Sequence, residues 1–299
     1  MTYLRSILIV IVVMLNTFVV SSQQVKPLIR FGLIADIQYC DCETAGKRFY
    51  RNSLLKLEEC VNDLNKEQVQ FTINLGDLVD RNPESFLPVL SRLNKLKAEV
   101  YNTTGNHDYD GITNNKSLYK KLGMPGEYYS FTKHNWRFIV LNTNEVASYS
   151  NVKGTKKEKE LEDMLKISKE SGRRNAAGYN GGISQKQMQW LKKELDKSQK
   201  KNEQVIVLSH HPLYPENGLT ALNNREILTL IETYPNVKLL LAGHHHPGAF
   251  AMYKDIPVVT VEGMIETENN NAYGLVEIYA DKIILQGKGR VSSREFLLR

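Results

Sequence analysis

The sequence predicts an α/β fold with mixed β-sheet and flanking helices. Short apolar runs of strand length alternate with amphipathic helical stretches. Nearly every run stops abruptly at carboxylate, amide or imidazole side chains, which suits a layered α/β domain with its site along a sheet edge. Residues 128–142 (YYSFTKHNWRFIVLN) alternate apolar and polar positions on both sides of Asn135, as a hairpin does, so the sheet is not purely parallel.

The first strand, residues 28–35, ends at Asp36-Ile37-Gln38. Taken alone, Asp36 also suits a turn or a helix N-cap. Residues 48–66 place Phe49, Leu54, Leu57, Val61 and Leu64 at helical spacing. A second strand, 69–75, runs into Gly76-Asp77-Leu78-Val79-Asp80-Arg81. A helix over 86–96 follows, then a third strand, 99–102, which leads to Gly105-Asn106-His107-Asp108. Residues 146–182 look like an insertion. They hold a charged helix over 155–170, with Leu161, Met164, Leu165 and Ile167 apolar, and a glycine-rich end, AAGYNGG. Its lysines read as a solvated face, and a lid over substrate is the functional reading of the segment. Ser184 N-caps a helix over 184–201 whose stripe is Met188, Leu191 and Leu195 around Trp190. The strand 204–208 ends at Ser209-His210-His211-Pro212. A helix over 222–234 precedes the strand 237–242, whose end is Gly243-His244-His245-His246. Four short strands, 249–253, 258–261, 273–279 and 283–286, are expected to form a second, antiparallel layer.

A chain of 299 residues, 41% hydrophobic and 24% charged, has enough core for a globular domain. The net charge of +6 comes from scattered lysines without a basic tail. It fits anionic small molecules and argues against nucleic-acid binding. At the N-terminus, Arg5 precedes an apolar run, 7–20, interrupted only by Asn16 and Thr17, and Val20-Ser21-Ser22 then offers small residues for cleavage. This is the pattern of a secretory signal over residues 1–22, and an uncleaved anchor is the alternative. The run falls short of the roughly 20 apolar residues of a membrane span, so the rest of the chain is expected to be secreted or periplasmic, without stable membrane insertion. Three cysteines do not read as a disulfide framework. Cys40 and Cys42 stand too close in sequence to pair comfortably, and either is free to pair with Cys60 in an oxidising compartment.

Five strand ends thus carry Asp36/Gln38, Asp77/Asp80, Asn106/His107, His210 and His244/His246. Carboxylate oxygens, amide oxygens and imidazoles in these numbers suffice for two divalent cations about 4 Å apart.

The series DxQ, GDLVDR, GNHD, SHHP and GHHH, over residues 28–290, resembles the calcineurin-like metallophosphoesterases. The resemblance implies a four-layer sandwich, two mixed β-sheets flanked by helices. It implies one cation held by Asp36, Gln38, Asp77 and His246, and a second held by Asp77, Asn106, His210 and His244. His107 would be the general acid with Asp80 as its partner. Arg81 sits where some members hold a phosphate oxygen, and His211 and His245 are spare. Most members carry histidine where this chain has Gln38. An amide oxygen there favours Mn or Mg over Zn, with Fe also among the candidates. The stretches IADIQYCD and NGGISQKQMQWL are similar to the manganese-dependent ADP-ribose/CDP-alcohol diphosphatase branch. That branch cleaves phosphoanhydrides of small phosphorylated nucleotides, and the expected attack is by metal-bound hydroxide. A phosphomonoesterase or cyclic-nucleotide phosphodiesterase is the alternative, for which Arg81 would meet a terminal phosphate. A non-catalytic metal-binding module has no need of the His107–Asp80 pair. Tyr39, Phe49, Tyr109, Tyr149, Tyr179 and Phe250 are the aromatic candidates for a nucleobase, each equally suited to a core.

Overall fold

The computed structural model describes residues 26–298. The chain runs through β1 (Ile29–Ile34), α1 (Ser53–Lys66), β2 (Phe71–Asn74), α2 (Phe86–Leu93), β3 (Glu99–Asn102) and α3 (Asn115–Lys121). Next come the hairpin β4 (Tyr129–Lys133) and β5 (Trp136–Val140), then β6 (Val146–Ala147), α4 (Lys156–Glu170), β7 (Gly181–Gly182) and α5 (Gln185–Lys200). The last third holds β8 (Gln204–Leu208), α6 (Asn224–Ile231), β9 (Val237–Ala242), β10 (Ala249–Tyr253), β11 (Ile256–Thr260), β12 (Ala272–Ile278), β13 (Lys282–Gly289) and β14 (Arg294–Leu297). The signal expected over 1–22 lies outside the described residues. Among the described residues no helix is long and apolar enough to cross a membrane.

These strands make two six-stranded mixed sheets, in the orders β14-β13-β12-β1-β2-β3 and β10-β11-β9-β8-β5-β4. Within the first, β1, β2 and β3 are parallel and β12 is antiparallel to β1. Within the second, β5, β8, β9 and β11 are parallel and the edges β4 and β10 are antiparallel. The four C-terminal strands expected to form one layer are therefore divided. β10 and β11 extend the second sheet, while β12 and β13 extend the first. Their alternation was legible but their partners were not, because pairing across β1 and β9 is non-local.

Side-chain alternation decides the layering. In β9, Leu239 and Leu241 join the cluster between the sheets, while Val237 and Leu240 face α5 and α6. Ile206 and Leu208 of β8 make the same choice against Val205 and Val207. Strands buried on both faces read as continuous apolar runs, as these do. Phe31 and Phe71 stack at 5.0 Å between ring centroids, and Phe138 of the other sheet meets both edge-on at 5.7 and 5.3 Å. On the outer face of the first sheet, Leu57, Val61 and Leu64 of α1 and Val89 and Leu93 of α2 complete the core. The result is helix, sheet, sheet, helix, the expected four layers.

Register brings the strand ends level. Ile34 pairs with Asn74 and Asn74 with Asn102, so the loops after β1, β2 and β3 start side by side. Leu208 pairs with Leu241, which does the same for the loops after β8 and β9. The polar strand ends thus come from two sheets whose ends meet.

Cys40 and Cys42 are joined by a disulfide, contrary to the pairing expected from sequence. The loop after Gln38 curls enough to set their Cα atoms 5.2 Å apart, within reach of an S–S bond. Cys60 is a free thiol buried on α1.

Candidate metal centre

Local backbone shape turns the ligands inward. Asp36, Gln38, Asp77 and His244 all hold positive φ, at 52°, 44°, 55° and 69°. Each such non-glycine residue costs about 1 kcal/mol or more, and such strain gathers at functional sites. The neighbouring glycines are required by space. A Cβ on Gly105 would collide with the Asp77 carboxylate, and one on Gly243 would lie 2.9 Å from Asp36 Oδ2.

The seven expected ligands come together. Asp36 and Asp77 are fully buried. The backbone N–H of His244 donates to both Asp36 carboxylate oxygens, at 3.0 and 3.1 Å, and His246 Nε2 lies 3.7 Å from Asp36 Oδ1. Gln38 Nε2 donates to Asp77 Oδ2 at 2.9 Å. His210 Nε2 lies 3.4 Å from the same oxygen and 3.1 Å from Asn106 Oδ1. Asp77, His210 and His244 each offer an atom within 4.8 Å of the others. Asp77 therefore stands between two donor groups, Asp36/Gln38/His246 and Asn106/His210/His244.

The centre's charges respond to each other. Burial, reinforced by Asp77, pushes the Asp36 carboxyl up to about 7 against the pull of His210. Burial would also raise Asp77, but the imidazoles of His210, His107 and His244 outweigh it and hold that carboxyl well below its usual range. Burial keeps His246 down at about 3 and His244 well below the ordinary imidazole value, so both offer lone pairs rather than protons.

The calcineurin-like phosphoesterase family matches residues 29–248. This chain belongs to that family. It is 31% identical to the manganese-dependent ADP-ribose/CDP-alcohol diphosphatase of Mus musculus, covering 90% of this chain and 93% of that one. The Homo sapiens enzyme of the same name is 30% identical, with 91% and 94% covered. Among solved structures, a dimetal phosphatase from Danio rerio superposes with a TM-score of 0.84 at 26% identity, covering 92% of this chain and all of that one. The GAP50 anchor of the Plasmodium inner membrane complex shares the fold at a TM-score of 0.60 and 14% identity, covering 91% of this chain and 89% of that one.

The phosphoesterase's donor set fits a pair of hard-to-borderline divalent cations. Gln38 Oε1 is buried without a hydrogen-bond partner among the described residues, on the amide whose Nε2 meets Asp77. An orphaned buried carbonyl oxygen is costly unless something electropositive meets it. His210 donates Nδ1–H to the Leu75 carbonyl at 2.9 Å, so Nε2, which faces Asp77 Oδ2 and Asn106 Oδ1, is the nitrogen left for a cation. Burial opposes charge on this imidazole, but Asp77 raises it to about 9, and a cation there would displace the Nε2 proton.

Beside the ligands, His107 Nδ1 lies 3.0 Å from Asp80 Oδ1 and 3.9 Å from Asp110 Oδ2. Burial opposes charge on this imidazole, yet Asp77, Asp110 and Asp80 together raise it to about 11. Arg81 is not drawn into the centre in this conformation. Its guanidinium lies 5.1 Å from the centroid of the Tyr50 ring. The cation beside the pair is Arg48, with Nη1 3.5 Å from Asp80 Oδ2. Sequence reasoning passed over Arg48, as it did Glu266, which faces His246 Nδ1 at 3.7 Å and is itself held by Arg290 at 3.1 Å. No periodicity or strand end marks these loop residues. Of the spare histidines, His211 is buried between Thr143 Oγ1 at 2.9 Å and the Tyr179 carbonyl at 3.2 Å, and His245 is half-buried. Of the aromatic candidates, Tyr109 is buried, Phe250 packs near Phe296, and Tyr179 is half-exposed beside His244 at 6.1 Å.

Proposed function

We propose that this phosphoesterase is a manganese-dependent hydrolase of nucleoside diphosphate derivatives, cleaving the phosphoanhydride of ADP-ribose or a CDP-alcohol. The observation that carries the reading is the orphaned Gln38 oxygen beside two buried carboxylates, with the His107–Asp80 pair alongside. In the set Asp36, Gln38, Asp77 and His246, an amide oxygen beside carboxylate and imidazole suits Mn over Zn, and the Mus musculus and Homo sapiens relatives are named as manganese-dependent diphosphatases of these substrates. Two bound cations, held by Asp36, Gln38, Asp77 and His246 and by Asp77, Asn106, His210 and His244, would activate a water and neutralise charge building on the phosphoryl oxygens.

The remaining chemistry belongs to the chain itself. Asp80 accepts the Nδ1 proton of His107 at 3.0 Å, which fixes the ring and leaves Nε2–H for the departing oxygen. Arg48 supplies a guanidinium beside this pair for the second phosphate of a diphosphate. Tyr179 offers a half-exposed ring to a base. The 146–182 insertion, which carries Tyr179, is read as the cover over the bound nucleotide. A terminal-phosphate role for Arg81 fits less well with its packing over Tyr50.

Hydrolysis of ADP-ribose, CDP-choline and p-nitrophenyl phosphate, side by side and with or without Mn, tests the reading. AMP plus ribose 5-phosphate, and CMP plus phosphocholine, are the expected products. Preference for p-nitrophenyl phosphate by tenfold or more would favour a monoesterase. We also read residues 1–22 as an export leader. The exported chain is expected to begin near residue 23, and an intact Met1 on the exported protein would contradict cleavage.

A further inference from the structure

Asn180 lies 64 residues from His244 in sequence and is buried against it. Its Nδ2 donates to the carbonyl oxygens of Asn175 and Gly218, both at 2.8 Å. Carbonyl oxygens only accept, so these two bonds fix which way the amide points. Its Oδ1 then faces His244 Nε2 at 3.2 Å. An amide oxygen also only accepts, so the imidazole carries its proton on Nε2 and keeps its lone pair on Nδ1. His210 does the reverse, spending Nδ1–H on the Leu75 carbonyl. The edge-on rings of His211 and His210, at 4.4 and 4.9 Å, restrain the His244 ring but are indifferent to which nitrogen is protonated.

We propose that Asn180 is a positioning residue for the metal centre: it holds His244 so that Nδ1 is the nitrogen offered to the second cation, and it thereby makes the end of the insertion part of that centre. The inference rests on the two-cation reading of the site. The side-chain amide of Asn175, which donates to the Ala221 carbonyl at 2.8 Å, braces the same segment without touching His244 and serves as the control for a merely structural effect.

The test counts manganese in the purified protein, by titration and by the electron paramagnetic resonance signal of an exchange-coupled Mn pair, and needs no substrate. Failure of the substrate proposal would therefore leave it untouched. Asn180→Leu is expected to bind one Mn normally and the second about 10- to 100-fold more weakly, with the coupled signal lost at stoichiometric metal. Asn175→Ala, which removes a side chain that does not touch His244, is expected to retain both ions within about threefold. Equal weakening by Asn180→Leu and Asn175→Ala, or no weakening by Asn180→Leu, would overturn the proposal. Should the leucine variant not fold, long-range ¹⁵N–¹H spectra of the metal-free parent chain decide: the Nε2–H form of His244 is expected, and the Nδ1–H form would overturn it.

Discussion

The Asp108 carboxylate lashes together the loop of Asp77 and the loop of Asn106. It accepts the backbone N–H of Asp77 at 3.0 Å, Leu78 at 2.8 Å, Val79 at 3.2 Å and Gly105 at 2.8 Å. The loops that carry Asp77 and Asn106 thus share one buried anchor. Asp108→Ala leaves those donors without a partner, each at a cost of about 1–3 kcal/mol, not fully additive. We expect a loss of at least about 3 kcal/mol in urea unfolding of the metal-free protein. A change below about 0.5 kcal/mol, the scale of an ordinary surface substitution, would show that the anchor is dispensable.

The His107–Asp80 pair predicts a pH effect of definite sign. Asp80 is one of the groups that raise the His107 imidazole, and its contact with that ring does not depend on the cations, so removing its charge must lower the imidazole's value. General-acid catalysis needs the protonated ring. In Asp80→Asn the alkaline limb of the kcat/KM profile should therefore move to lower pH, by about half a unit or more. A limb that stays put, or moves upward, contradicts the pairing.

His107 also predicts a dependence on leaving group. A departing nucleoside phosphate is stable without a proton, whereas a departing alkoxide is not. A positioned acid is worth about 10²- to 10⁴-fold where the proton is needed. His107→Ala should slow hydrolysis of an alkyl phosphodiester by about 100-fold or more and that of ADP-ribose by less than about tenfold. Equal losses on both would remove the acid role.

Asp36 ties metal uptake to pH. Burial and Asp77 raise its carboxyl to about 7 in the metal-free protein, from 3.8 unfolded. The folded state therefore binds the extra proton between these values. Stability from this group is full below 3.8 and is lost as pH rises toward 7. A cation needs the ionised carboxylate, so below about pH 7 manganese must displace the proton, and affinity should fall up to about tenfold per pH unit. Calorimetry in two buffers of different ionisation enthalpy reads the released proton, and its absence at pH 6 would contradict the shift.

Most of the fold and the seven residues that come together at the candidate centre were legible because the same physics marks both. A strand buried on both faces must be apolar, so Ile34, Leu75, Leu208 and Ala242 stand out. Two residues past each one stand Asp36, Asp77, His210 and His244, and although a turn or cap would explain any one of them, it does not explain all four. The supporting groups left no such mark. Asn180 reaches His244, Arg48 reaches Asp80 and Glu266 reaches His246 from irregular loops, through contacts that only the closed fold creates. Cys40–Cys42 escaped for the same reason, since its geometry depends on the turn after Gln38. The C-terminal strands were found one by one, but a period-2 pattern does not name the neighbour across the sheet.

The most direct measurement is ADP-ribose hydrolysis by chelator-stripped protein titrated with Mn. Negligible activity is expected in the stripped protein, with a rise that saturates at two bound ions per chain and AMP and ribose 5-phosphate as products. Full activity without metal, or saturation with a single ion bound, would contradict the two-cation reading.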